Sequence, residues 1–384
     1  MKRWWKQLYL CILLLGLAVA GRAQAATAPP IPVLAYYYIW FDTGSWDRAK
    51  TDLPQLGAYS SDDRGVMEQH VRWAKAAGIG GFIVSWKSTP ALNRRLEQLI
   101  DVASKEQFKL VVIYQGLDFD RNPLPADRVA ADLDFFAQTY AANPVFNVFG
   151  RPAVIWSGTW KFSRDEIAQV AGPRRKSMLL LASERNEDDY TRIADLVDGD
   201  AYYWSSVNPA TFPHYQTKLD SMAKAVHERG GLWIAPAASG FDARLLGGTQ
   251  VVERNDGATL RTQLDAALRS SPDAVGLISW NEFSENSYIE PSRNYGQRYL
   301  DVLASYQRGS VPTPATDLDS SMPGSVDVEV RPEVLAPLVS MAALIAGSLG
   351  VLVWRSMRRG PGGAQPDEKD TTLYEYDDAE PHTP

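Results

Sequence analysis

Two carboxylates three residues apart, Glu282 and Glu285, stand in the run Ser279-Trp280-Asn281-Glu282-Phe283-Ser284-Glu285-Asn286, where an apolar segment ends abruptly. A pair of carboxyl groups can protonate a departing glycosidic oxygen and supply the nucleophile or base near the anomeric carbon, so this spacing suits hydrolysis of a sugar acetal. In a loop or one helical turn, the three-residue offset turns both side chains toward one cavity. Carboxylates so placed repel when both are charged, which favours keeping a proton on one of them, as a general acid requires. The competing reading makes one of the two a helix cap or an ion-pair partner. Asn281 belongs to the same stretch as a candidate sugar ligand. Glu290, held before Pro291, either binds a sugar hydroxyl or braces the loop.

Other chemistries find little support. The chain has four histidines, and no two have the spacing of metal ligands on one helix face, so neither a metal nor another cofactor is expected. No Gly-x-Ser-x-Gly elbow announces a serine nucleophile. A net charge of −7 gives no support to nucleic-acid binding. The lone cysteine, Cys11, lies in an N-terminal apolar segment, so the rest of the chain relies on no disulfide.

A repeated alternation must position the glutamates. Short apolar or aromatic runs at 33–38, 81–85, 110–114, 153–156, 178–182, 201–204, 232–235 and 274–280 read as strands. Amphipathic stretches such as 64–77, 126–140 and 296–306 read as the helices between and after them. Eight strand-helix units in one domain, residues 30–307, predict a (β/α)8 TIM barrel rather than an open doubly wound sheet. No Gly-rich dinucleotide fingerprint follows any strand. Active sites of this fold gather at the C-terminal ends of the strands, and Glu282 and Glu285 follow the last one. Other strand ends offer Tyr37, Tyr38, Trp40, Trp86, Gln115, Tyr203 and Trp204. Rings that stack on pyranose faces and amides that take hydroxyls predict an oligo- or polysaccharide substrate; the competing role for each ring is to fill the barrel.

The ends of the chain predict a location. Residues 1–25 combine Lys2, Arg3 and Lys6, an apolar core and Ala23-Gln24-Ala25, the pattern of a secretory signal. Residues 308–332 read as a flexible stalk, rich in Pro, Ser and Asp. Residues 333–354, uncharged after Glu333, are long enough for a single transmembrane helix, and Arg355, Arg358 and Arg359 place the following side in the cytoplasm. The acidic tail, 355–384, reads as disordered. The expectation is a membrane-anchored protein with its barrel outside the cytoplasm and a cytoplasmic C-terminal tail. Nothing in the sequence signals an oligomeric state.

The residues resemble a known family. Asn281-Glu282-Phe283-Ser284-Glu285 followed by Tyr288-Ile289-Glu290-Pro291 is similar to the Asn-Glu-Trp-x-Glu and Ile-Glu-Pro signature of glycoside hydrolase family 99, the endo-α-mannosidase group and its bacterial relatives. Pro54-Gln55-Leu56-Gly57-Ala58-Tyr59-Ser60-Ser61-Asp62 and Ala77-Gly78-Ile79-Gly80-Gly81-Phe82-Ile83-Val84-Ser85-Trp86 resemble two further stretches of that family. The resemblance implies retaining cleavage of an α-mannoside-like substrate, with Glu282 as the base that deprotonates the sugar's own 2-hydroxyl and Glu285 as acid and then base. It implies no covalent enzyme intermediate. The chain departs from the pattern at Lys87, Phe283-Ser284 and Gln115, where the family has a Trp, an aromatic-His step and a Glu. Those positions shape sugar subsites, so the expected substrate is a bacterial envelope or environmental polysaccharide. Two alternatives stand beside this reading: an α-glucanase-type hydrolase, and a non-hydrolytic glycan-binding or polysaccharide-assembly protein on the same barrel. Ser60, Ser61 and Asp62 are expected to cap the helix that follows.

Overall fold

The structure is a computed structural model that describes residues 31–309 except residue 119. The expected signal, membrane span and tail lie outside the described residues, as does the stalk from residue 310 onward. Among the described residues no helix is long and apolar enough to cross a membrane.

Eight parallel strands alternate with eight helices. The first five units are β1 (Val33–Tyr38), α1 (Arg64–Ala76), β2 (Gly81–Trp86), α2 (Pro90–Glu106), β3 (Lys109–Gln115), α3 (Ala126–Thr139), β4 (Ala153–Ser157), α4 (Arg164–Arg174), β5 (Leu179–Leu181) and α5 (Glu187–Ile193). β6 (Gly199–Ala201), α6 (Tyr215–His227) and β7 (Leu232–Ala238) follow. A two-stranded antiparallel ribbon, β8 (Phe241–Asp242) with β9 (Val251–Val252), interrupts the pattern before α7 (Ala258–Arg269), β10 (Ala274–Ile278) and α8 (Arg298–Gly309).

The parallel strands run in the order β5-β4-β3-β2-β1-β10-β7-β6. The two outermost meet through one parallel bridge, Ala182 with Asp200, closing the ring as the (β/α)8 expectation requires. The sixth strand lies two residues earlier than hydropathy suggested, because the charged Asp198 and Asp200 hide it. Tyr202 to Trp204 extend beyond it, and the last strand stops at Ile278 rather than continuing to Trp280.

Strand alternation sorts every side chain into one of two buried layers. One parity, including Ala35, Tyr37, Phe82, Val84, Trp86, Val112 and Tyr114, packs outward against helix residues such as Met67, Val71, Leu96 and Leu133. The other parity points into the barrel. There Tyr36 lies over β10 so closely that a Cβ on Gly276 would stand 3.0 Å from its ring, so glycine makes room for the aromatic plug.

The helix caps correct one expectation. Asp63, one residue later than the expected trio, caps α1 by accepting from the amides of Gly65 (2.8 Å) and Val66 (3.4 Å). Ser61 Oγ instead accepts from Phe41 N–H at 3.1 Å, tying the β1 loop to this turn. Asp62 pairs with Arg95 (2.7 Å) and Arg94 (3.0 Å), and chiefly the Arg95 hydrogen bond draws its carboxyl down to about 2.

Candidate active site

The segment after β10 is a turn tied back to the barrel at nearly every residue. Trp280 N–H donates to Tyr36 O (2.7 Å), and Glu290 N–H returns to Trp280 O (2.8 Å), so the loop leaves and rejoins the rim at one point. Glu282 N–H donates to Ser279 Oγ (2.8 Å), and one Glu282 carboxylate oxygen accepts from Ser284 N–H (3.0 Å). Phe283 turns away to stack on Tyr288, with ring centres 3.9 Å apart. Glu282 and Glu285 are both buried, 4% and 1% exposed, within this one turn.

Asn281 holds the turn against β1. Its Oδ1 accepts from Tyr38 N–H at 2.9 Å, and its Nδ2 donates to Tyr38 O at 2.9 Å and to the Tyr59 hydroxyl at 3.2 Å. Both amide hydrogens are engaged, so the structure gives Asn281 a positioning role in place of the expected sugar contact.

Glu290 resolves toward bracing. It is 1% exposed and accepts from the Tyr59 hydroxyl (2.9 Å), while its other oxygen meets His70 Nε2 (3.0 Å). His70 Nδ1 in turn meets the Tyr37 hydroxyl at 3.1 Å. Burial, and then the Glu290 charge, push the Tyr37 and Tyr59 hydroxyls well above the ordinary tyrosine range, so both keep their protons. Tyr37, His70 and Tyr59 thus form one buried hydrogen-bonded chain that ends on the two oxygens of Glu290.

From the other side, Arg254 grips the same turn. Its guanidinium donates to Ser239 Oγ (2.9 Å), Asn286 O (2.8 Å) and Tyr288 O (2.9 Å), and it lies against the rings of Tyr288, Tyr295 and Tyr299. Asp242 N–H donates to Glu285 O at 2.7 Å, so the β8–β9 ribbon supports the second glutamate directly. A cavity of about 460 Å³ flanks the turn, lined by Asn286, Asp242, Arg244 and Tyr295 among others, but by neither glutamate.

The aromatic candidates divide by strand parity. Tyr38, Gln115 and Tyr203 occupy inward positions: the Tyr38 and Tyr203 hydroxyls meet at 2.9 Å, and Gln115 Nε2 donates to Ser85 Oγ at 2.8 Å. Trp40, partly exposed, packs on Tyr38 with ring centres 4.3 Å apart. Three expected sugar ligands do not join them. Tyr37 stacks on Phe82 in the outer layer. Trp86 packs on Phe136 there and donates its indole N–H to Asn93 (2.9 Å). Trp204 stacks on Tyr215 of α6 at 4.5 Å. All three sit between barrel and helices because their parity points them outward.

Sequence reasoning assigned no role in the site to Tyr59, His70, Ser239 or Arg254. Tyr59 lies within the stretch that resembles the family, which marked its neighbourhood. His70 looked like one more apolar-face residue of α1, and a lone arginine after β9 carries no signal at all. Among the described residues no group of three or more His, Cys, Asp or Glu could hold a metal ion.

The model of glycosyl hydrolase family 99 matches residues 41–307. A glycoprotein endo-alpha-1,2-mannosidase-like protein of Danio rerio is 23% identical over 281 residues, covering 66% of this chain and 63% of that protein. The glycoprotein endo-alpha-1,2-mannosidase of Mus musculus is 23% identical over 282 residues, covering 66% and 60%. The chain thus spans somewhat under two thirds of the length of these relatives. In fold, it is similar to the endo-alpha-mannosidase of the same family from Bacteroides thetaiotaomicron, with a TM-score of 0.65, 20% identity, and coverage of 73% of this chain and 97% of that one. With a family match over most of the chain and the family's barrel beneath it, this protein belongs to glycosyl hydrolase family 99.

Proposed function

We propose that this protein is a membrane-tethered, extracytoplasmic glycoside hydrolase that cleaves an α-mannoside-like glycan with retention, using Glu282 and Glu285. The observation that carries this reading is the position of both glutamates, buried in one braced turn directly beyond the last barrel strand. Family membership and the endo-mannosidase names of its relatives point to the α-mannoside. The compositions of residues 1–25 and 333–354 support the tether.

In this reading Glu282 takes the proton of the sugar's 2-hydroxyl, whose oxygen attacks the anomeric carbon. Glu285 gives its proton to the departing glycosidic oxygen. Water then opens the anhydrosugar at the anomeric carbon and yields a proton to Glu285. The 2-oxygen recovers its proton from Glu282, and both carboxyl groups return to their starting states. Two displacements at one carbon give net retention. Tyr38, Trp40, Gln115 and Tyr203 would line the sugar's path.

The test is to incubate the full-length protein with α-mannans, α-glucans and matching aryl glycosides beside Glu282→Gln and Glu285→Gln. Oligosaccharide release from mannan by the wild type, falling about 10³-fold in each variant, is the expected result. Release from glucan alone would reassign the sugar. Binding without release from any substrate would make the protein a glycan-binding or assembly factor. Protease treatment of intact cells checks the topology, and protection of the barrel would sink the extracytoplasmic assignment.

A further inference from the structure

The barrel has a seam. Every other pair of neighbouring strands shares at least three register pairs, whereas β5 and β6 share one, Ala182 with Asp200, and are joined by the backbone hydrogen bonds Asp198 N–H to Leu180 O, Ala182 N–H to Gly199 O and Ala201 N–H to Ala182 O. On its other side β6 runs close to β7: Gly199 has φ +154°, and a Cβ there would stand 2.1 Å from Leu232 O. At this seam lie two acids with no part in the proposed chemistry, Glu184 and Asp200, each 0% exposed. Asp200 Oδ1 accepts from Glu184 N–H at 2.7 Å, which ties the end of the β5 loop to β6. The second Asp200 oxygen and the Tyr190 hydroxyl have no hydrogen-bond partner among the described residues, and the Glu184 carboxyl has the Thr159 hydroxyl as its neighbour. Arg192 of α5 reaches only to 3.7 Å from Glu184, beyond hydrogen-bond distance.

Two ionised carboxylates with so few donors around them are costly in so dry a place. A protonated carboxyl, by contrast, becomes a donor that can turn to a neighbour's vacant oxygen. We propose that Glu184 and Asp200 form a proton-dependent clasp that closes the barrel between β5 and β6 and loosens when both acids ionise.

The surrounding groups set the range in which it works. Burial is the main influence on Glu184 and pushes it up to about 7; Asp189 adds to this, while the Thr159 hydroxyl, Arg192 and Arg185 oppose it. Asp200 is held well above the ordinary carboxyl range by burial and then by Glu184's charge, against the Glu184 amide. Tyr190 is raised by burial and by Asp200, with Arg229 and Arg175 opposing and Asp198 adding, so it stays neutral throughout. The folded state holds the carboxyl protons more tightly than the unfolded chain. The clasp's contribution to stability is therefore complete below the ordinary carboxyl range and is lost as pH climbs through about 7. Tyr203, whose hydroxyl meets Tyr38 at the barrel mouth, stands three residues beyond Asp200, so the seam reaches the candidate site.

The experiment follows hydrogen exchange, corrected for its intrinsic pH dependence, in the 179–201 segment of the full-length protein between pH 5 and 8. The thermal midpoint is measured in parallel, with Glu184→Gln and Asp200→Asn as comparisons. In the wild type, protection of this segment is expected to fall about tenfold across the range and the midpoint by a few degrees. Either variant should flatten both trends. Equal protection at both ends of the range in the wild type, or an unchanged trend in both variants, would overturn the clasp. Should one variant fail to fold, Arg192→Gln serves instead, and it is expected to move the loss to higher pH, because it removes a cation that favours the ionised Glu184; an unmoved loss would count against the proposal. None of these readouts depends on hydrolysis.

Discussion

Two groups of deeply buried acids, one beyond the last barrel strand and one between β5 and β6, meet different surroundings. Beyond β10, Glu290 receives a tyrosine hydroxyl and a histidine, and Glu282 receives a backbone amide, all in a turn pinned by Asn281, Ser239 and Arg254. Between β5 and β6, Glu184 and Asp200 are just as deeply buried, but Asp200 has one backbone amide for its two oxygens and Glu184 has the Thr159 hydroxyl and Arg192 at 3.7 Å. The strands differ in the same direction. β2 and β3 run together for six register pairs, while β5 and β6 are three residues each and share one. Burial alone therefore does not mark a catalytic acid. What distinguishes Glu290 from the seam pair is that hydrogen-bond donors converge on it, whereas the seam acids meet few.

The sharpest way to break this contrast is to remove a brace from the rim. Arg254→Met would remove a donor from Ser239 Oγ and from the Asn286 and Tyr288 carbonyls, leaving Tyr288 O with Ser239 Oγ at 3.3 Å. We expect a loss of about 3 kcal/mol in denaturant unfolding, together with a fall in turnover larger than any change in KM. The same substitution made at both places should differ in sign. Glu290→Gln, which puts an amide where two donors converge, is expected to cost about 2 kcal/mol at pH 8, whereas Glu184→Gln should be neutral or stabilising there, as urea midpoints would reveal. Trp86→Phe tests the parity argument. Its expected signature is a stability loss of about 1 to 2 kcal/mol with glycan affinity unchanged within about twofold; a large affinity loss would return Trp86 to the sugar site. The smallest effect is expected at Asp62, whose side chain is 41% exposed. Asp62→Asn should cost under about 1 kcal/mol near neutrality. Because its folded carboxyl is drawn down to about 2, that contribution is present above the ordinary carboxyl range and vanishes as pH falls toward 2, the reverse of the seam, as acid-limb thermal scans would register.

Much of the architecture was legible because it repeats. Eight apolar runs separated by amphipathic stretches allow few closed arrangements, and β1, β2 and α1 lie within a residue or so of where patterning put them. The sixth strand was misplaced because aspartates on either side of a glycine look like a loop until the barrel buries one of them. The helix cap was one residue off because Ser60, Ser61, Asp62 and Asp63 are all good cap formers, and only the path of the chain chooses among them. At the site, the two glutamates and their neighbours stood out as a local motif. Tyr37, Trp86 and Trp204 were read as sugar ligands since a linear sequence gives each aromatic at a strand end the same prospects.

The sequence by itself determined the repeat, the family resemblance and the pairing of Glu282 with Glu285 in one short segment, because periodicity and spacing are properties of neighbours along the chain. Only the tertiary structure decided which face of each strand looks inward, which residues 200 and more positions apart satisfy Glu290 and Asn281, and where neighbouring strands share a single register pair. Those outcomes depend on burial and hydrogen-bond partnership across the barrel, and a buried polar group takes its meaning from a partner that the local sequence does not name.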